Sequence, residues 1–138
     1  MLARRHVLIL LTGMAGLAAP SVCAAPAPKP FDKAAFDASL AAGGPVIVHV
    51  SAPWCVICRA QHPILDRLRD QPRFKDFELY EVDFDNDKAS VRTVGARLQS
   101  TLIVYNRGKE IARTVGDREE GWIEDLLEKA LPDKASGK

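Results

Sequence analysis

The residues best suited to chemistry are two cysteines separated by two residues, in the run Trp54-Cys55-Val56-Ile57-Cys58. They follow an apolar, β-branched segment and precede a helical pattern, so we expect them in the first turn of a helix. The free N–H groups and the dipole of a helix N-terminus stabilise a thiolate on the first sulfur. Cys55 is therefore predicted to attack, and Cys58 to be the resolving residue that releases a mixed disulfide.

Two other interpretations of the cysteine pair are a structural disulfide and half of a zinc site. A structural bond closing so short a loop would constrain the unfolded chain little. Zinc takes four ligands, and this chain offers the two sulfurs plus histidines. Redox exchange is therefore favoured. The alternatives are a metal or iron–sulfur module, in which two copies supply four thiolates to one centre, and a non-catalytic binding domain.

The first 24 residues predict a cleavable secretory signal peptide. Two arginines lead into an apolar run, which a proline breaks before a small-residue site that places cleavage after Ala24. Cleavage there removes Cys23 and leaves the pair described above. A retained membrane anchor, lipidation of Cys23 and twin-arginine export are the alternatives. The expected compartment is the periplasm, with secretion or membrane tethering as the alternatives.

Length and composition predict one ordinary globular domain. The chain has 138 residues, of which 47% are hydrophobic and 27% charged, and its formal net charge of +1 offers no basic field for nucleic acid. An alanine- and proline-rich spacer over 25–30 leads into a domain over 31–131, and a flexible tail follows over 132–138. We expect a monomer with no bound cofactor and no metal.

Helices and strands alternate along this domain. Asp32 is a predicted helix N-cap, and Gly43 and Gly44 end that helix. The remaining predicted elements are strands over 46–50, 77–84, 101–105 and 110–115 and helices from 55, over 90–98 and over 122–131. A short glycine-containing connection makes the last two strands an antiparallel hairpin. The order α-β-α-β-α-β-β-α therefore predicts an α/β fold with a mixed four-stranded sheet flanked by helices.

The chain from Phe31 to Leu131 resembles the thioredoxin family. The residues that carry the resemblance are Ala52 to Cys58, Pro63, Asp83, Asp85 and Thr101 to Gly108. It implies a thioredoxin-like fold and thiol–disulfide oxidoreductase activity, with Trp54 at the site. The Val56-Ile57 dipeptide is similar to that of reducing periplasmic domains fed by membrane electron conductors. The implied partners are disulfide-containing exported proteins and a membrane thiol reductase as electron donor.

Two residues depart from the pattern of that family in the expected interior. His49 stands where the family usually has a buried aspartate, and Glu81 where it usually has a lysine. The resemblance places His49 beneath Cys58, where a neutral imidazole could accept the proton of the resolving thiol. We therefore name His49 and Glu81 as candidate catalytic residues. The alternative is a core histidine satisfied by a neighbour. His62 is interpreted as a partly exposed helix histidine.

A third departure lies in the run Gln99-Ser100-Thr101, where the family carries a cis-proline at the position of Ser100. The resemblance places these three residues, with Trp54, at the substrate groove. A cis bond before a non-proline residue costs about 2.5–4 kcal/mol, so we expect a trans Gln99–Ser100 bond. Ser100→Pro is expected to restore the ring and to tighten capture of substrate.

Overall fold

The structure is a computed structural model and describes residues 25–131. The predicted signal peptide over 1–24 and the predicted tail over 132–138 lie outside the described residues. The elements in chain order are β1 (Lys29–Pro30), α1 (Lys33–Ala42), β2 (Val46–Ser51), α2 (Val56–Arg69), β3 (Glu78–Asp83), α3 (Lys88–Thr93), β4 (Thr101–Asn106), β5 (Lys109–Val115) and α4 (Glu120–Lys129). Within 25–131, none of these helices has both the length and the apolar composition that crossing a membrane requires.

The five strands form one mixed sheet in the order β1-β3-β2-β4-β5. β3 is parallel to both of its neighbours, whereas β4 is antiparallel to β2 and to β5. The predicted mixed sheet and the hairpin of β4 and β5 are confirmed. The sheet also has a fifth strand, because Lys29 and Pro30 of the expected spacer pair with Tyr80 and Glu81. A strand of two residues is too short to show the alternation that reveals strands in a sequence.

Helices cover both faces of the sheet. The residues buried under α2 and α4 are Ile47, Ile64, Leu65, Leu68, Phe74, Phe77, Leu79, Leu102, Val104, Ile123, Leu126, Leu127 and Ala130. Those buried under α1 and α3 are Phe36, Val46, Val48, Val50, Tyr80, Val82, Val91, Val94, Ile103 and Tyr105. Residues 46–50 of β2 are all buried, as expected for a central strand. Since side chains alternate along a strand, His49 shares the face of Ile47, under α2.

Local capping explains where the helices begin and end. The Asp32 carboxylate accepts a hydrogen bond from the Ala35 N–H at 2.8 Å, and Gly43 ends α1 with φ 78°, as predicted. The expected helix over 90–98 is wrong at both ends. Asp87 caps the N-terminus of α3 by accepting from the Ser90 N–H at 3.0 Å, and Gly95 breaks the chain with φ 66°.

Candidate active site

Cys55 and Cys58 form a disulfide at the start of α2, with their Cα atoms 5.3 Å apart. Cys55 is the N-cap residue of the helix, and its sulfur accepts a hydrogen bond from the Cys58 N–H at 3.1 Å. The sulfur thus occupies the place of a capping side-chain oxygen. In the reduced protein the same N–H group and the helix dipole favour a thiolate on Cys55. The predicted placement of the pair in the first helical turn is confirmed.

Two exposed apolar side chains flank Cys55 of the buried disulfide in sequence. Cys55 and Cys58 are only 4% and 1% exposed, whereas Trp54 is 56% and Val56 64% exposed. The Trp54 indole Nε1–H donates to Asp85 Oδ2 at 2.7 Å, which ties the ring to the loop after β3. Large apolar side chains beside a reactive group suit the docking of a partner chain.

The loop before β4 connects to α2 through the backbone of Ser100. Residues 25–131 contain no cis peptide bond, so the Gln99–Ser100 bond is trans, as predicted. Ser100 is buried and adopts a left-handed φ of 56°, and its hydroxyl donates to the Gln99 carbonyl at 2.6 Å. The Gln61 amide donates to the Ser100 carbonyl at 3.3 Å. The half-buried Gln99 lies in this loop, and the Thr101 hydroxyl turns back to the Leu98 carbonyl at 2.7 Å.

A buried polar cluster lies on the same face of the sheet as α2. His49 is fully buried and sits level with Glu81 of the neighbouring strand, and its Nδ1 lies 3.2 Å from Glu81 Oε1. Its Nε2 lies 2.9 Å from Gln61 Oε1. His62 brings its Nδ1 to 3.5 Å from the same Glu81 oxygen, while the Ser51 hydroxyl donates to Glu81 Oε2 at 3.2 Å. The expected neighbourhood of His49 and Glu81 is confirmed.

This cluster bears on the expected role of His49. In the disulfide form both of its ring nitrogens have partners, as the core-histidine alternative describes. The transfer of a proton from Cys58 to His49 stays a prediction. Gln61 was missed, although it lies three residues after Cys58 and four before Leu65, on the buried face of the helix. A polar residue at that spacing was the available signal.

The Glu81 carboxylate is held in its ionised form. Burial by itself would raise the pKa of this carboxyl group. The hydrogen bond to His49, the positive charge that His49 and His62 can carry, and the bond from Ser51 outweigh burial, so the pKa lies below its ordinary value. A negative charge therefore lies beside two imidazoles at neutral pH.

Comparison with known proteins identifies the family. The family model for thioredoxin matches residues 27–129. The chain belongs to the thioredoxin family. A thioredoxin of Aspergillus fumigatus, Asp f 29, is 36% identical over 73 residues, which cover 53% of this chain and 66% of that protein. The thioredoxin of Chlamydia pneumoniae is 31% identical over 94 residues, which cover 68% of this chain and 89% of that protein.

A solved structure agrees with this assignment. The crystal structure of Trxlp from Edwardsiella tarda superimposes with a TM-score of 0.71 at 37% identity, covering 73% of this chain and 98% of that one. The expected thioredoxin-like α/β fold is confirmed. So is the expectation of a thioredoxin-family thiol–disulfide oxidoreductase, and the Cys55–Cys58 pair fits a CxxC-type site.

Proposed function

We propose that this thioredoxin-family protein reduces disulfides in exported proteins. The observation that carries the proposal is the Cys55 sulfur, which caps the N-terminus of α2 beside the exposed Trp54. The Cys55 thiolate attacks one sulfur of a substrate disulfide and releases the other as a thiolate, which takes a proton from water. The Cys58 thiolate then attacks Cys55, so the substrate leaves fully reduced and the protein disulfide forms. The described disulfide form is the end of this cycle.

The reductive direction follows from the two residues between the cysteines. Val56 and Ile57 offer neither a side-chain hydrogen-bond donor nor a positive charge, so the thiolate gains no extra stabilisation from them. A strong oxidant needs such stabilisation of its reduced form. In an oxidising compartment the protein then needs a source of electrons, for which a membrane thiol reductase is the proposed partner.

Turnover of a disulfide substrate with dithiothreitol as electron donor tests the reaction. Cys55→Ser should abolish the reduction of insulin, because no thiolate remains at the helix terminus. Cys58→Ser should instead accumulate mixed disulfides, which non-reducing electrophoresis detects. Each variant is the control for the other, because both lack one thiol but only Cys58→Ser keeps the attacking sulfur of Cys55. Full activity of Cys55→Ser would exclude the mechanism and favour the non-catalytic alternative.

The proposed export rests on the first 24 residues, and the mature N-terminus tests it. Mass spectrometry of the protein from fractionated cells should find a chain beginning at Ala25 in the periplasm. A chain that keeps its first residues in the cytosolic fraction would contradict export. That result would not contradict the proposed oxidoreductase reaction.

A further inference from the structure

Two imidazole nitrogens and one carboxylate oxygen converge from three different elements. His49 comes from β2, Glu81 from β3 and His62 from α2, and their ligand-capable atoms all lie within 4.8 Å of one another. The two imidazole rings meet edge to face, with centroids 4.7 Å apart. The register of the parallel strands sets His49 level with Glu81, and α2 packs across them.

Hydrogen bonding fixes the proton of His49 on Nε2. The Gln61 amide nitrogen lies 3.3 Å from the Ser100 carbonyl and 2.7 Å from the Asp117 carbonyl, and both of these oxygens can only accept. The nitrogen of Gln61 must therefore face them, and its oxygen faces His49 at 2.9 Å. An amide oxygen accepts, so the His49 Nε2 carries the proton that it donates.

A neutral His49 consequently points the bare lone pair of Nδ1 at Glu81 Oε1, which also carries lone pairs. Such a contact requires a cation between the two atoms, either a proton or a metal ion. Histidines that bind metals characteristically donate their other ring N–H to an oxygen, as His49 does to Gln61. Ser51 engages the second oxygen of Glu81 at 3.2 Å and leaves Oε1 as the ligand atom.

Two of the separations are also those of neighbouring ligand atoms on one metal ion. A charge-assisted N–H···O bond spans about 2.7–2.9 Å. Glu81 Oε1 lies 3.2 Å from His49 Nδ1 and 3.5 Å from His62 Nδ1, both longer than that. In a tetrahedral site with bonds of about 2.0–2.1 Å, neighbouring ligand atoms are about 3.3 Å apart. These two separations lie on either side of that value, and the two imidazole nitrogens lie within 4.8 Å of each other.

We propose that His49 Nδ1, His62 Nδ1 and Glu81 Oε1 bind a divalent transition-metal ion such as Zn²⁺. Nitrogen and carboxylate ligands of this kind suit zinc and its neighbours rather than Mg²⁺ or Ca²⁺. The His62 side chain is 46% and the Glu81 side chain 23% exposed, which gives the ion a path to the site and leaves the fourth position to water. The site uses neither cysteine and does not depend on the proposed function.

Titration of a cysteine-free protein tests the proposal. The chain carries Cys23→Ser, Cys55→Ser and Cys58→Ser, so no thiolate can bind, and His6→Gln removes its one other histidine. An untagged preparation is titrated with Zn²⁺ by calorimetry and with Co²⁺ by absorption. We expect one ion per chain, and a Co²⁺ spectrum with visible ligand-field bands and no sulfur charge-transfer band.

His62→Ala in the same background is the decisive variant. His62 is exposed, so its loss should leave the fold intact, which circular dichroism checks, and Zn²⁺ affinity should fall at least tenfold. Asp66→Ala is the matched control, because Asp66 is an exposed carboxylate one turn later on α2 and lies outside the cluster. The Zn²⁺ affinity of Asp66→Ala should match that of the parent.

Two results would overturn the proposal. The first is the absence of metal uptake by the cysteine-free chain, which would mean that a proton and not a metal ion lies between His49 and Glu81. The second is uptake that His62→Ala leaves unchanged, which would locate the ion elsewhere.

Discussion

Val56 and Ile57 separate the two sulfurs with apolar side chains, and at the scale of single residues we expect them to control the redox potential. We expect the Cys55–Cys58 couple to lie nearer the value of thioredoxin, about −270 mV, than that of a strong oxidant such as DsbA, about −120 mV. Equilibration with glutathione buffers measures it. A couple that is mostly reduced in a buffer poised near roughly −150 mV would contradict the reductive direction.

Ile57→His provides the matched variant for this measurement. A protonated imidazole next to the sulfurs stabilises the thiolate and lowers the pKa of the thiol. The reduced form then gains stability, and the potential should move toward the oxidising end. An unchanged potential in a folded variant would mean that the intervening residues do not control it.

The left-handed backbone of Ser100 changes what a proline would do there. Proline fixes φ near −65°, whereas Ser100 has a φ of 56°, so Ser100→Pro requires this loop to change its conformation, and tighter capture of substrate stays a prediction. We expect Ser100→Pro to lower the free energy of unfolding by about 3 kcal/mol or more. Ser100→Gly, which accepts positive φ, should stay within about 1 kcal/mol of the parent.

Urea denaturation measures this series, with Ser100→Ala as the matched intermediate. Alanine keeps the positive φ and removes only the hydroxyl bond to Gln99, so about 0.5–1.5 kcal/mol should be lost. Equal stability of the proline and glycine variants would show that the loop can change its conformation without cost.

The resemblance predicted the individual site residues better than the contacts between them. The cysteine pair, Trp54 and the juxtaposition of His49 with Glu81 followed from motif and strand order. Gln61 did not, because its three hydrogen bonds join α2 to a strand and to two loops that are far away in sequence. The helical spacing indicates that Gln61 is buried, but no local pattern indicates its distant hydrogen-bond partners.

At the scale of elements, the long helices and strands were predicted more accurately than the short ones. The buried strand β2 and the long helix α2 carry many periodic apolar residues, and both were predicted within a residue or two. The helix α3 has only six residues and β1 only two, so capping and pairing define them rather than periodicity. The carboxylate of Asp87 caps α3 and sets where the helix begins. Asp87 was not among the predicted caps.

The cap of α3 should make its stability depend on pH. Hydrogen bonds from the side chain and the backbone of Ser90 hold the pKa of Asp87 below its ordinary value. A carboxyl group whose pKa is depressed in the folded state stabilises it above the ordinary pKa. It loses that contribution as pH falls through the folded-state value, below about pH 4.

Asp87→Asn keeps a capping oxygen that does not titrate. Between pH 7 and pH 3 the parent should therefore lose more unfolding free energy than this variant, by no more than about 1 kcal/mol at a partly exposed site. Urea denaturation at both pH values measures the difference. Asp76→Asn, at an exposed turn residue, should show no such difference. Parallel pH curves for Asp87→Asn and the parent would refute the argument.

At the scale of the whole molecule, the segment before Phe31 belongs to the folded domain. The buried Arg69 guanidinium donates to the Phe77 carbonyl at 3.2 Å and also to the Pro26 carbonyl. Lys29 and Pro30 pair with Tyr80 and Glu81 of β3, and the Lys29 ammonium forms an ion pair with Glu78 at 2.9 Å. The expected spacer thus supplies contacts across the sheet, which composition could not show because alanine and proline also suit a linker.

A chain that begins at Phe31 should accordingly be less stable than one that begins at Ala25. It loses the pairing of β1 and the Pro26 partner of a buried charge, each worth about 1–3 kcal/mol. In a domain of this size, the melting temperature should fall by at least about 5 °C in a thermal scan.

Lys29→Ala in the longer chain is the control for this truncation. It keeps the backbone pairing of β1 and removes an exposed ion pair with Glu78 and a cation–π contact with the Tyr80 ring at 5.7 Å. Both are weak at exposed positions, so its melting temperature should stay close to that of the parent. Identical melting of the two chain lengths would place the segment outside the cooperative unit.

The strand order leaves β1 and β5 at the two edges of the sheet, where exposed backbone could recruit another molecule. β1 offers only two residues, and Pro30 has no N–H to donate to an incoming strand. The exposed positions of β5 include the charged residues Lys109, Glu110 and Arg113, which would have to lose water before any strand could pair there. The missing N–H on β1 and the charges on β5 therefore oppose strand addition, the route by which partly unfolded proteins nucleate fibrils, whereas the exposed Ile111 and Val115 of β5 favour it.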